Sequence, residues 1–191
     1  MSGRSSPPDY FEKKYALDPD PWDYASSDYE RGKYAATLDA LPRPRFRRGL
    51  EIGCSIGVMT GHLAARCDSL VAVDVSSVAL DRARQSCRDQ TNVTFALMRI
   101  PSQWPAQTFD LVVLSEVLYY LSRRDVARTA RNVLKTLEAD GAVILVHWLG
   151  DTGVGRTGDD AASWFAGDVA PNLRVTLRRR TADYRLDVLS R

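Results

Sequence analysis

The stretch Leu50-Glu51-Ile52-Gly53-Cys54-Ser55-Ile56-Gly57 constrains this chain more than any other, because an apolar run closes on an acidic residue and two glycines before a helical pattern begins. A strand that passes straight into a helix must turn sharply, and glycine reaches the required backbone conformations with no Cβ in the way. Gly53 suits the tight turn, and Gly57 suits a helix that starts close to a bound ligand. A second apolar run, 70–73, ends at Asp74, about twenty residues past Gly53. That is where a nucleotide-binding βαβ unit places the carboxylate that takes ribose hydroxyls. The alternative is a tight turn in an α/β domain that holds no ligand there.

The spacing narrows the ligand. A dinucleotide fingerprint, G-x-G-x-x-G, uses its second glycine to admit a pyrophosphate to the helix N-terminus. This chain instead reads E-x-G-x-x-x-G, with Ser55 at the second glycine's position. A cofactor with adenine and ribose but no phosphate does not need so close an approach. S-adenosylmethionine fits that description, and a nicotinamide dinucleotide does not.

Around this loop the hydrophobic pattern alternates between strand and helix. Strands are predicted at 49–52, 70–73, 93–97, 109–114 and 142–148, and helices at 58–66, 78–87 and about 126–137, with Asp140-Gly141 as a turn. The run Phe109-Asp110-Leu111-Val112-Val113-Leu114 is almost continuously apolar, as a central parallel strand buried on both faces must be. A glycine-rich segment, 150–158, leads to a short helix at 159–168. Alternating residues from Leu173 to Val188 around Thr181-Ala182-Asp183 then predict an antiparallel hairpin. The expected fold is α/β, a doubly wound, mostly parallel seven-stranded sheet closed by that hairpin.

Before the first strand, Ser27 and Glu30 form a capping box for a helix that ends at Pro42. Residues 1–26 are read as an arm, since Pro7, Pro8, Pro19 and Pro21 leave no room for a long helix. Residues 27–191 are read as one domain, a size that supports a single core. The formal net charge of +2 gives no ground for nucleic acid or a membrane as partner, and the clusters Arg43, Arg45, Arg47, Arg48 and Arg178, Arg179, Arg180 read as solvated strand ends. Cys54, Cys67 and Cys87 form no C-x-x-C pair, which suggests neither a disulfide framework nor a metal site. With no long apolar segment, a reducing cytoplasm is the expected location.

In such sheets a ligand sits beyond the carboxyl ends of the strands, which here carry Gly53, Asp74, Ser115, Glu116 and His147. His147, with an ordinary pKa of about 6.5, is either the base of the site or a histidine satisfied within the sheet. Glu116 either meets a substrate amine or caps the next helix. Tyr119 and Tyr120 are adjacent, so only one faces the cleft easily, and Tyr119 is the expected one. Trp22, Tyr24 and Tyr29 are bulky for an arm, and a lid that excludes water explains them. Arg31 and Lys33 follow as candidate contacts for a cofactor carboxylate or a substrate, and His62 receives no chemistry.

The phrases Asp20-Pro21-Trp22, Tyr29-Glu30-Arg31, Leu50-Glu51-Ile52-Gly53-Cys54 and Ser115-Glu116-Val117-Leu118-Tyr119-Tyr120-Leu121 resemble the nodulation S (NodS) family. That family is a branch of the class I S-adenosylmethionine-dependent methyltransferases, and the likeness to the class covers residues 48–191. The resemblance implies a Rossmann-like fold and methyl transfer to the amine of an amino sugar or oligosaccharide. It implies that Glu51, Gly53 and Gly57 line the methionine half of the cofactor, that Asp74 holds the ribose, that Val75 and Met98 flank the adenine, and that Cys54 and Ser115 also contact the cofactor. Where many relatives present an acidic residue to the adenine amine, this chain has Ala96-Leu97-Met98-Arg99-Ile100. An O-methyltransferase or a cofactor-binding partner protein without catalysis would share the cofactor loop.

Overall fold

Strands β1 (Phe46–Ile52), β2 (Cys67–Asp74), β3 (Val93–Leu97), β4 (Phe109–Ser115), β5 (Leu137–Trp148), β6 (Arg174–Arg180) and β7 (Tyr184–Ser190) form one sheet in a computed structural model that describes residues 3–191. The order is β3-β2-β1-β4-β5-β7-β6, with β1 to β5 parallel and β7 antiparallel to both β5 and β6. Helices α1 (Pro8–Leu17), α2 (Asp28–Asp39), α3 (Val58–Ala64), α4 (Ser77–Ser86), α5 (Arg123–Thr136) and α6 (Gly158–Val169) pack around it. Among the described residues no helix is long and apolar enough to cross a membrane.

The continuous apolar run in β4 is explained by the two cores it serves. Val112 and Leu114 pack with Val126, Ala130 and Val133 of α5, while Leu111 and Val113 join Met59 and Leu63 of α3 on the other face. Register then levels the strand ends: Ile52 of β1 lies beside Val73 of β2 and Leu114 of β4. Gly53, Asp74 and Ser115 therefore come to one edge of the sheet, where the strand order reverses between β1 and β4.

Three elements depart from the sequence pattern. The arm contains α1, a ten-residue helix that fits between Pro8 in its first turn and Pro19 beyond its end. The prolines bracket a helix that has space to form. Met1 and Ser2 of the expected arm lie outside the described residues. β5 starts at Leu137, so Asp140 and Gly141 are inside a strand rather than a turn; an added Cβ on Gly141 would lie 2.7 Å from the Leu137 side chain. Leu118–Tyr120 is a single 3-10 turn, which changes the direction in which the adjacent tyrosines point.

The arginine-rich entry to β1 is paired with acids at the amino end of the sheet, opposite the aligned strand ends. Arg45 bonds Asp68, Arg47 and Arg48 bond Glu138, and Arg43 reaches Asp110 and Asp140. Arg178 in β6 makes a two-pronged contact with buried Asp187.

Candidate active site

Two contiguous cavities open at the aligned strand ends. The larger has a volume of about 230 Å³ and is lined by Gly53, Ser55, Asp74, Val75, Met98 and Ser115, with Trp22 and Tyr24 of the arm across from them. The smaller, about 30 Å³, is lined by Glu51, Cys54 and Glu30, and shares Gly53, Ser55, Ser115, Glu116 and Tyr24 with the first.

Backbone geometry shapes this space. Gly53 has φ +81°, and a Cβ there would lie 3.3 Å from Val117 and 3.4 Å from the Ser115 carbonyl oxygen. Ser55 also takes a left-handed φ, +52°, unusual for a residue other than glycine. The Asp74 carboxylate holds the turn: its Oδ2 accepts from the Ser55 N–H and its Oδ1 from the Ser76 N–H, both at 2.9 Å. Burial raises its pKa, and those backbone donors work in the opposite direction. Glu51 accepts from Thr60 Oγ1 at 2.6 Å, and burial pushes its pKa up to about 7.

Glu116 is the most heavily engaged group of the site. It adopts φ +53°, and its Oε1 accepts from Lys33 Nζ at 2.6 Å. Its Oε2 accepts from the Tyr119 hydroxyl and the Trp148 N–H, each at 2.8 Å. Lys33 is buried as well and also donates to Glu30 Oε1 at 2.8 Å. Burial works against its ammonium, but the two carboxylates more than offset this and its pKa stays above the ordinary value.

Several expected residues lie elsewhere. His147 lines neither cavity: it is fully buried, and its Nε2 accepts from the Leu118 N–H at 3.2 Å. Alternation explains this, since Val143 and Leu145 pack into the α5–α6 core and His147 shares their parity. A Cβ on Gly158 of α6 would lie 2.9 Å from its own Cβ. Burial lowers the His147 pKa to about 4, so it is neutral near pH 7 and its Nδ1 carries the proton. The unfolded chain binds a proton below pH 6.5 that the folded chain refuses until about pH 4, so stability is present at neutral pH and falls across that window by on the order of 3 kcal/mol. In urea titrations His147→Gln is expected to lose less stability between pH 7 and pH 4.5 than the wild type; equal losses would refute this.

Tyr119 sits behind the cavity, bonded to Glu116, and Tyr120 lines it instead. The two sit on a 3-10 turn with their rings still in contact, centroids 4.7 Å apart, and the bond to Glu116 turns Tyr119 away from the wall that Tyr120 forms. Gly57 lines neither cavity; a Cβ there would lie 3.0 Å from Ala83 Cα, so this glycine permits α3 to approach α4. Arg31 is paired with Asp28 on the surface. Tyr29 packs against Trp148, with ring centroids 5.6 Å apart, and borders neither cavity.

Sequence reasoning missed Phe11 and Tyr15, which line the larger cavity from one face of α1. Their spacing of four was the available signal. The Tyr15 hydroxyl lies 2.5 Å from Ser55 Oγ. The arm is held to α4 at two points: Glu12 accepts from the Ser76 and Ser77 hydroxyls and the Ser77 N–H at the start of α4, and Arg82 of α4 donates to the Tyr15 and Pro19 carbonyls. An acid at a helix N-terminus and a cation at a C-terminus both complement the helix dipoles.

Comparison with known proteins supplies the lineage. The family model for nodulation protein S (NodS) matches residues 5–150. The chain belongs to the NodS family. It is 34% identical over 137 residues to nodulation protein S of Bradyrhizobium diazoefficiens, covering 70% of this chain and 64% of that protein. It is 32% identical to the Rhizobium tropici nodulation protein S, covering 65% of this chain and 53% of that one. The chain thus spans between 53% and 64% of the length of these two curated relatives. In solved structures it is similar to the N-methyltransferase NodS of Bradyrhizobium japonicum in complex with S-adenosylhomocysteine, with TM-score 0.80 and 27% identity over 95% of this chain and 96% of that one. This NodS-family architecture is the Rossmann-like sheet described above.

Proposed function

We propose that this chain is an S-adenosylmethionine-dependent methyltransferase whose acceptor is the amine of a small polar molecule, an amino sugar or oligosaccharide before others. The observation that carries the reading is Asp74, a carboxylate facing a cavity at the switch point, level with Gly53 and Met98. Membership of the NodS family and the solved NodS complex with S-adenosylhomocysteine support it. The residues fit the cofactor: an acid for ribose hydroxyls, the apolar Val75 and Met98 for the adenine, and the smaller cavity beside Glu51, Gly53 and Ser115 for the methionine half. Gly57, by its placement against α4, contributes by shaping that turn.

When bound, S-adenosylmethionine supplies an electrophilic methyl group on a sulfonium. The protein's own part is to place a nucleophile, and orientation of this kind accounts for roughly 7–11 kcal/mol of a barrier in favourable cases. Glu116 borders both cavities and is the group we assign to meet the acceptor amine and take its proton. Tyr119 acts through Glu116, and Tyr120 takes the place at the wall. Trp22 and Tyr24, with ring centroids 5.8 Å apart, act as the lid that excludes water, and the three free thiols suit a reducing cytoplasm.

Calorimetry is expected to show binding of S-adenosylhomocysteine and none of NAD. A mass-spectrometric screen is expected to show methylation of aminosugars, deacetylated chitooligosaccharides or simple amines, with hydroxylated controls unchanged. Methylation of the hydroxylated controls alone would overturn the amine assignment, and cofactor binding without transfer to any acceptor would leave a binding module. Removal of residues 1–26 should leave a cooperative unfolding transition but reduce transfer at least about tenfold. Full activity of that truncation would end the lid assignment.

A further inference from the structure

Glu116 faces the cavities in one fixed orientation, and its position depends on a residue far away in sequence. Lys33, from α2, donates to Glu116 Oε1 from 83 positions earlier in the chain. The other donors to that carboxylate, the Tyr119 hydroxyl and the Trp148 N–H, both converge on Oε2 and are neutral. Lys33 is therefore the charged partner on the other oxygen. It is 2% exposed, lies 5.1 Å from the Tyr29 ring centroid, and is anchored from behind by Glu30, itself 6% exposed. The second oxygen of Glu30, Oε2, is buried beside the smaller cavity, which Tyr34 also lines. The cluster thus brings two carboxyl groups, those of Glu30 and Glu116, onto one ammonium at the cavity wall.

A carboxylate at this depth is held in place only while its charge is matched, and without a counter-ion it is driven to turn towards water. The left-handed backbone at Glu116 adds to the cost of its position, so the contacts around it must over-determine it. We propose that Lys33 is the positioning residue of this site, holding Glu116 in the orientation that receives the acceptor amine. This rests on the amine-methyltransferase reading given above. Lys33 touches Glu116 and Glu30 and not the larger cavity, so it acts through Glu116.

The test combines a spectroscopic and a kinetic measurement on Lys33→Met, Lys33→Arg and Glu116→Gln in the full chain. The amide resonance of Trp148 reports on the Glu116 carboxylate that it bonds, and that of Arg48, bonded to Asp110 at the opposite end of the sheet, serves as the control. Lys33→Met is expected to displace the Trp148 resonance as Glu116→Gln does, to leave that of Arg48 in place, and to keep S-adenosylhomocysteine affinity within about threefold. With glucosamine as acceptor its kcat should fall at least about tenfold, more than KM rises, and Lys33→Arg should restore part of the loss. An unmoved Trp148 amide, an unchanged kcat, or an equal loss of cofactor affinity and kcat would overturn the proposal. If Lys33→Met does not fold, the Lys33→Met/Glu30→Gln pair, which removes the opposing carboxylate too, takes its place with the same criteria. Failure of the wild type to methylate any amine would count against the proposed function, and the Trp148 resonance would then decide the role of Lys33 by itself.

Discussion

Asp74→Ala is expected to lower the affinity for S-adenosylhomocysteine by about 30- to 1000-fold, roughly 2–4 kcal/mol. Hydrogen bonds that a buried carboxylate would accept from ribose hydroxyls account for part of this, since charge-assisted bonds are the stronger kind. The rest comes from the protein. Asp74 accepts from the N–H groups of Ser55 and Ser76, so its loss removes the anchor of a turn in which Ser55 holds a left-handed φ. Asp74→Asn should do almost as badly, because its amide nitrogen would face one of two backbone donors. Calorimetric titration checks both variants, and an affinity within twofold of the wild type would remove Asp74 from the site.

The largest effect on stability is expected at the other end of the sheet. Asp110, 2% exposed near the start of β4, accepts from the N–H groups of Arg47 and Arg48 and from Arg43 Nη2 at distances of 2.8 to 2.9 Å. One side chain thereby pins β4 to the neighbouring strand β1. Asp110→Ala would orphan two strand N–H groups and leave an arginine without its buried partner, at a cost of about 3–5 kcal/mol. Urea unfolding measures this directly, and a loss below about 1 kcal/mol would show that water replaces the carboxylate. Because Asp110 lies away from the cavities, cofactor affinity of the folded fraction should be unchanged.

The sheet and the cavity at its strand ends were legible because each depends on short stretches of chain. The apolar run of β4, the turn after Ile52 and the acid that ends β2 each carry their reason within a few residues. The surroundings of Glu116 were harder to read. His147 was placed at the ligand face by its position near the end of β5, yet its parity with Val143 and Leu145 turns it into the core beside α6. That parity was present in the sequence, but which face of the strand opened on the site was not. The tyrosine pair was assigned on α-helical geometry, but the long-range choice of Tyr119 for Glu116 left Tyr120 at the cavity wall. In the arm, prolines were read as leaving no room for a long helix, and the ten-residue segment between them forms a short one that docks on α4.

By itself the sequence determined the order of strands and helices, the turn conformation at Gly53, and the carboxylate at Asp74, because periodicity and local backbone preference act over a handful of residues. Only the tertiary structure decided which side chains reach one another. The pairing of Lys33 with Glu116, the burial of His147 and the seat of Tyr15 over Ser55 depend on the register of β1 against β4 and on the docking of α1 and α2. Such contacts bring together groups that no local pattern relates, and packing selects among the faces they could present.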